Sequence, residues 1–279
     1  MTYELIDVSP LPGALGAEIS GVDMAQPLGN QLFQEVHDAL LENQVIFFRD
    51  QDITPAQHVA FARQFGTLQV HPLVPHLDDH PEVLVLESKE DKRNAANAWH
   101  SDVTFSEEPP LGSILLARKV PERGDTMWAD MYAAYEALSP AMKRYLEGMT
   151  ALHQAAGAQF EKTYEKEDGR GGEAREGKKV IPPAEHPIIR THPETGRKAL
   201  FVNSIFTQRI RGVTRKESRA ILDFLYDHIA TPEFTCRFHW EENSVAFWDN
   251  RSTQHYAIAD YGGAHRLMHR VTVNGDKPF

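Results

Sequence analysis

A single cysteine, Cys236, in a chain of 279 residues leaves no partner for an internal disulfide and no thiolates for a sulfur-rich metal site. The first twenty residues contain no lysine or arginine and no apolar stretch of leader length, so no secretory leader is expected. No run approaches the roughly eighteen apolar residues that a membrane span requires. Basic residues are also in deficit: 29 Lys and Arg stand against 40 Asp and Glu, a net charge of −11, with no long cationic run. Nucleic-acid binding leans on clustered positive charge, so that class of partner is excluded. A cytoplasmic protein with no membrane partner is expected. A small anionic ligand stays open, because a few arginines in a pocket override an acidic surface.

The 41% hydrophobic content is enough for a substantial core. Helices announce themselves by their ends. Thr54-Pro55 followed by an apolar-periodic run and Gly66 gives a cap, a first-turn proline and a terminating glycine in order. Ser139-Pro140 opens a similar helix toward Gly148, and Leu32–Leu41 has amphipathic spacing. Thr214 and Glu217 form a capping box, ahead of a stripe of Ala220, Ile221, Phe224 and Leu225. Between these helices lie short strand-like runs at Val45–Phe48, Glu82–Leu86, Ile114–Ala117, Thr126–Ala129, Ala199–Val202, Phe234–Trp240, Val245–Trp248 and Met268–Val273. They do not alternate regularly with helices. The expectation is a mainly β sandwich or barrel with flanking helices, forming one domain over residues 1–279. The polar, glycine-rich stretch 161–185 is expected to be a mobile loop, either a surface insertion or a lid.

Trp99-His100-Ser101-Asp102 sets an imidazole and a carboxylate two residues apart. In an extended segment such side chains leave the same face, so both can point at one ion. His255 is the candidate third ligand, where the apolar run Val245–Trp248 leads into a polar turn and the histidine follows. Two histidines and one carboxylate form the facial triad of non-haem Fe(II) oxygenases, which leaves coordination positions open. Zinc hydrolases also use two histidines and an acid. Downstream, Arg266 and Arg270 fall at i and i+4 of a strand-like run and therefore share a face. Two inward guanidiniums demand anions, and arginine grips a carboxylate or sulfonate through paired hydrogen bonds. One could hold a keto acid and the other an anionic substrate.

The chain resembles the taurine dioxygenase family of Fe(II)- and 2-oxoglutarate-dependent enzymes, which includes alkylsulfatases and aryloxyalkanoate dioxygenases. The resemblance runs through Gly13–Asp23, Val45–Asp50, Trp99–Phe105, Gly124–Trp128, His192-Pro193 with Phe201-Val202-Asn203, Trp248–Ala257, Met268-His269-Arg270 and Gly275–Phe279. It implies a double-stranded β-helix (jelly roll). It implies iron held by His100, Asp102 and His255, and 2-oxoglutarate held at its far carboxylate by Thr126 and Arg266. It also implies a sulfonate or similar anion held by His71, Arg270 and the backbone N–H of Val103, with Phe160 and Phe206 lining the pocket. With O2 as cosubstrate, such an enzyme hydroxylates the carbon beside the anionic group. The product falls apart to an aldehyde plus sulfite or sulfate, with succinate and CO2 as coproducts. A homodimer or homotetramer is a further implication of the family.

Two positions depart from the pattern. Ala96 and Val74 stand where taurine dioxygenase has polar residues near the substrate amine. An ammonium with no polar partner is poorly bound there, so an alkyl sulfate or alkylsulfonate is expected ahead of taurine. Three alternatives are an aryloxyalkanoate dioxygenase, a zinc-dependent hydrolase, which would need neither Arg266 nor oxygen, and a silent jelly-roll binding protein.

Overall fold

The computed structural model describes residues 3–71, 75–89, 97–155 and 182–279. The first half runs β1 (Asp7–Pro10), β2 (Ala17–Ser20), α1 (Asn30–Asn43), β3 (Val45–Phe48), α2 (Pro55–Arg63), β4 (Val83–Ser88) and β5 (Gly112–Lys119). Next come β6 (Thr126–Asp130), α3 (Met131–Glu136), α4 (Pro140–Leu146), β7 (Thr150–His153), β8 (Ala184–Pro187), β9 (Ile189–Thr191) and β10 (Lys198–Leu200). The chain finishes with β11 (Thr207–Ile210), α5 (Arg215–Ile229), β12 (Thr235–Phe238), β13 (Val245–Asp249), β14 (Thr253–Ala257) and β15 (Arg266–Val273).

Strand alternation builds the sandwich. In β13, Val245 and Phe247 point to one face of the large sheet β1-β2-β3-β13-β5-β15-β4, and Ala246 and Trp248 to the other. The first face packs under α1 and α2, joining Ile46, Phe48, Ile114, Val271 and Val273 to Val36, Leu40, Val59 and Phe61. The second face looks inward at the small sheet β12-β6-β14, where Phe47 stacks on Phe238 at 4.0 Å and meets Trp128 edge-on at 5.2 Å. Each fully buried aromatic or branched side chain contributes roughly 1.5–3 kcal/mol, so this double-faced packing dominates the stability. A third cluster joins α3 and α5 to β10 through Tyr132, Leu200, Leu222 and Leu225. Two sheets packed this way form the jelly roll expected from the sequence. No helix among the described residues is long and apolar enough to cross a membrane.

The expected helix starts hold. Thr54 and Thr214 close capping boxes with Gln57 and Glu217, and Ser139 caps α4 by accepting the Met142 N–H. The apolar stripe of α5 is displaced from its expected position. Ser218, Leu222, Leu225 and Ile229 are buried, while Phe224 lies at the surface stacked on His228. The hydroxyl of Ser218 accepts the Ile210 N–H of β11, which turns that face of the helix inward despite its polar residue. The expected loop 161–185 ends in a strand: Ala184 and Glu185 begin β8, paired with β7, and residues 161–181 lie outside the described residues.

Candidate metal centre

His255 lies on β14, just after the turn beyond β13 as expected, and opposite Trp128 of β6. The alternation of β14 is hard to see in Thr253-Gln254-His255-Tyr256-Ala257, because its inward positions carry polar side chains. His100 forms an isolated antiparallel bridge with His255. The His100 N–H donates to the His255 carbonyl at 3.1 Å, and the His255 N–H returns the bond at 2.8 Å. Asp102 is no longer extended: the chain enters a turn there, and Val103 takes a left-handed φ of 53°. For a β-branched residue this costs on the order of 1–3 kcal/mol and persists only where the surroundings enforce it.

The three side chains converge, with ligand atoms all within 4.8 Å of one another and all three residues buried. His100 Nε2 and His255 Nε2 stand 3.9 Å and 4.0 Å from Asp102 Oδ1. His100 Nδ1 donates to the Ala98 carbonyl at 2.8 Å, which puts the proton on Nδ1 and leaves the Nε2 lone pair facing the cluster. Burial drives both imidazoles toward the neutral form, and each histidine is further influenced by its charged neighbours. Burial alone would raise the Asp102 carboxyl; the Arg270 charge above all, with the Ser113 hydroxyl, holds it well below the usual carboxylate range. Neutral imidazoles beside an ionised carboxylate are the donor set a divalent ion needs. Ser113 takes Oδ2 at 3.0 Å and Arg270 one lone pair of Oδ1 at 2.7 Å, so a second Oδ1 lone pair remains for an ion.

The arginines share the inward face of β15 with Met268, as their spacing predicts. Arg266 is 4% exposed, its Nε has no hydrogen-bond partner, and no carboxylate pairs with it among the described residues. Burial lowers its pKa, with only Tyr261 opposing. An unpaired buried guanidinium is costly, which marks a place built for an anion. Thr126 is buried at the start of β6; its oxygen accepts the Trp240 indole N–H at 2.9 Å, which leaves the hydroxyl proton to donate elsewhere. His71 is buried, and desolvation followed by the nearby Arg270 charge pushes its pKa down to about 4. Phe206 packs edge-on against Phe105 at 5.1 Å and lies 6.4 Å from His100, in an apolar cluster with Val103 and Ala155. Phe160, Val74 and Ala96 lie outside the described residues.

Several contributors had no local signal in the sequence. Asn250, in the turn between β13 and β14, accepts the Asp102 N–H at 2.7 Å and donates to the Asp102 carbonyl at 3.0 Å. Beside it, Asp249 is gripped by Arg251 through bonds of 2.9 and 2.7 Å and by His192 Nε2 at 2.9 Å. Arg251 reaches on to Glu194 at 2.7 Å. Asn203 donates to Thr104 and accepts the N–H groups of Ile205 and Phe206, which ties the Phe206 loop to the Asp102 turn.

A jelly roll with a buried His-Asp-His cluster and, on a neighbouring strand, an arginine with no carboxylate partner among the described residues defines the class of non-haem metal oxygenases. Within that class, residues 7–272 match the family described as taurine catabolism dioxygenase TauD, TfdA family, and the chain belongs to it. It is 38% identical over 277 residues to an alkylsulfatase of Acinetobacter baylyi, covering 97% of this chain and 86% of that one. It is 36% identical over 279 residues to an alpha-ketoglutarate-dependent sulfate ester dioxygenase of Pseudomonas putida, covering 98% and 91%. The crystal structure of a taurine dioxygenase from Burkholderia xenovorans superposes with a TM-score of 0.84 at 37% identity, covering 99% of this chain and 93% of that one.

Proposed function

We propose that the chain is a single-domain Fe(II)- and 2-oxoglutarate-dependent dioxygenase that hydroxylates the carbon next to a sulfate ester or sulfonate. The observation that carries this is the pairing of a buried two-histidine, one-carboxylate cluster with a buried guanidinium that has no carboxylate partner among the described residues. His100, Asp102 and His255 would hold the iron. With 2-oxoglutarate and O2, iron supplies an oxidant able to replace a C–H hydrogen by hydroxyl, giving succinate and CO2 as coproducts.

Arg266 and the Thr126 hydroxyl would take the far carboxylate of 2-oxoglutarate through charge-assisted hydrogen bonds, fixing its direction across the pocket. Arg270, the neutral His71 ring and the Val103 N–H would take the substrate's anionic head. Val103, Phe105, Ala155 and Phe206 would then receive an apolar tail and exclude water. Holding head and tail at once brings one C–H bond to the reacting side, and this positioning is the protein's share of the catalysis. Once that carbon carries hydroxyl, loss of the hydroxyl proton and cleavage of the bond to sulfur or to the sulfate oxygen give an aldehyde plus sulfite or sulfate.

The similarity to an alkylsulfatase and a sulfate ester dioxygenase supports a sulfate ester head, and the apolar lining supports an alkyl tail. The same reading extends to a cytoplasmic homo-oligomer acting on a small organic anion. The test is purified protein with ferrous iron, 2-oxoglutarate and hexyl sulfate, assayed for succinate, sulfate and hexanal. Stoichiometric formation of all three, dependent on O2, is expected. Sulfate released under strict exclusion of O2 would overturn the reading in favour of hydrolysis.

A further inference from the structure

Asn250 is 1% exposed and uses its amide as a stand-in for a peptide group. Its Oδ1 accepts the Asp102 N–H and its Nδ2 donates to the Asp102 carbonyl, with a second Nδ2 contact to the Pro110 carbonyl at 3.3 Å. The flipped orientation would set NH2 against N–H, so the network fixes which way the amide faces. Asn250 is itself held: its own N–H donates to the Leu111 carbonyl at 2.8 Å, and the Asp249–Arg251–His192 bonds lock the turn on both sides.

The Asp102 carbonyl belongs to the same peptide as the Val103 N–H. That peptide is trans, so its C=O and N–H point in opposite directions. Fixing the carbonyl on Asn250 therefore aims the Val103 N–H away from Asn250. Two observations mark that N–H as built for a ligand. Val103 sits at a positive φ that its side chain disfavours, and the N–H of this buried residue has no hydrogen-bond partner among the described residues. A hydrogen bond accepted by the carbonyl also polarises the peptide and strengthens its N–H as a donor.

We propose that Asn250 is a positioning residue that holds the Asp102–Val103 peptide plane, coupling one metal ligand to the anion-binding N–H one residue on. The anion half rests on the reading of Val103 given under the proposed function; the metal half does not. Without the clamp, the peptide rotates, Val103 relaxes to negative φ, and both the carboxylate and the N–H lose their aim. Arg266 and Thr126 lie on β15 and β6, outside the clamp, so 2-oxoglutarate is not affected by this route.

The test uses Asn250→Ala, which removes both halves of the clamp, and Asn250→Asp, which keeps its shape and its acceptor but loses the Nδ2 donor. Ferrous iron binding is measured anaerobically by calorimetry. At saturating iron, 2-oxoglutarate and then hexyl sulfate are titrated, with the visible charge-transfer band as a second readout. We expect iron and hexyl sulfate to bind about tenfold or more weaker in both variants, as loss of a buried hydrogen bond implies, with 2-oxoglutarate changed less than about threefold. A folded variant with wild-type affinity for iron and hexyl sulfate overturns the proposal, whatever its melting temperature. Equal losses for all three ligands also overturn it, because they show general loosening. Wild-type protein that binds iron but no hexyl sulfate overturns the anion-site reading and the anion half with it, while the iron titrations still decide the metal half.

Discussion

Replacing Arg266 with methionine should separate the cost of a buried charge from its use. The guanidinium is 4% exposed with an unpartnered Nε, and burial alone disfavours its charged form. Methionine fills much of the same volume without that penalty, so the ligand-free variant should be at least as stable as wild type. Binding should move the opposite way. Loss of a desolvated arginine–carboxylate pair costs about 2–5 kcal/mol, or roughly thirtyfold to several thousandfold in affinity. The assay is thermal unfolding of iron-loaded protein under anaerobic conditions, with and without 2-oxoglutarate. At a concentration about a hundred times its Kd, the keto acid should stabilise wild type by about 2.7 kcal/mol, a rise of roughly 5 °C for a chain of this size. Arg266→Met should keep at most about a third of that rise at the same concentration, even at the thirtyfold end of the range. A variant that melts well below wild type yet keeps its full response to 2-oxoglutarate would refute the reasoning.

Two further predictions follow from the charges around the cluster. Arg270→Ala should weaken hexyl sulfate by about thirtyfold or more and leave 2-oxoglutarate binding nearly unchanged, and unchanged turnover of every anionic substrate would dismantle the anion site. Acid should destabilise the metal-free fold before its carboxylates titrate. Burial lowers His58 and His153 to about 3 and His71 to about 4, each well below the ordinary imidazole value. Between those values and about 6.5 the unfolded chain binds protons that the fold refuses, so stability falls as pH drops. Each of these histidines costs about 1.4 kcal/mol at about pH 5.5, roughly 4 kcal/mol in all. His37 opposes this, since its bond to Glu194 raises its pKa, but it is half-buried and screened. Urea midpoints that match at about pH 7.5 and about pH 5.5 would contradict the sign.

Part of the candidate site was legible because its chemistry coincides with local periodicity: Arg266 and Arg270 share one face of β15. His100 and Asp102 stand out by an extended spacing of two, yet it is the turn at Asp102, with Val103 at positive φ, that brings the carboxylate to the histidines. β14 was hidden for the converse reason: its buried positions are occupied by functional and polar side chains, so alternation gives no signal. β1, β2 and β9 are three or four residues long and too short to show a period, whereas β10 overlaps the expected run at Ala199–Val202. Asn250 was invisible because its partner, Asp102, lies far away in the chain, and a polar residue in a turn looks the same whether or not it braces a ligand; Ser113, on β5, is closer in sequence but its lone hydroxyl in an apolar strand gives no sign of its partner. The offset stripe of α5 includes a serine that hydropathy leaves out and that turns inward because it accepts a strand N–H.

The reciprocal bridge between His100 and His255 has a consequence for how the protein is loaded. Because main-chain bonds join the two imidazole-bearing segments, the spacing of the nitrogen donors is inherited from the scaffold rather than imposed by the cation. Stripping with a chelator should therefore leave circular dichroism unchanged, and reconstitution should proceed without refolding. The proposed centre should then accept different divalent ions in turn without refolding.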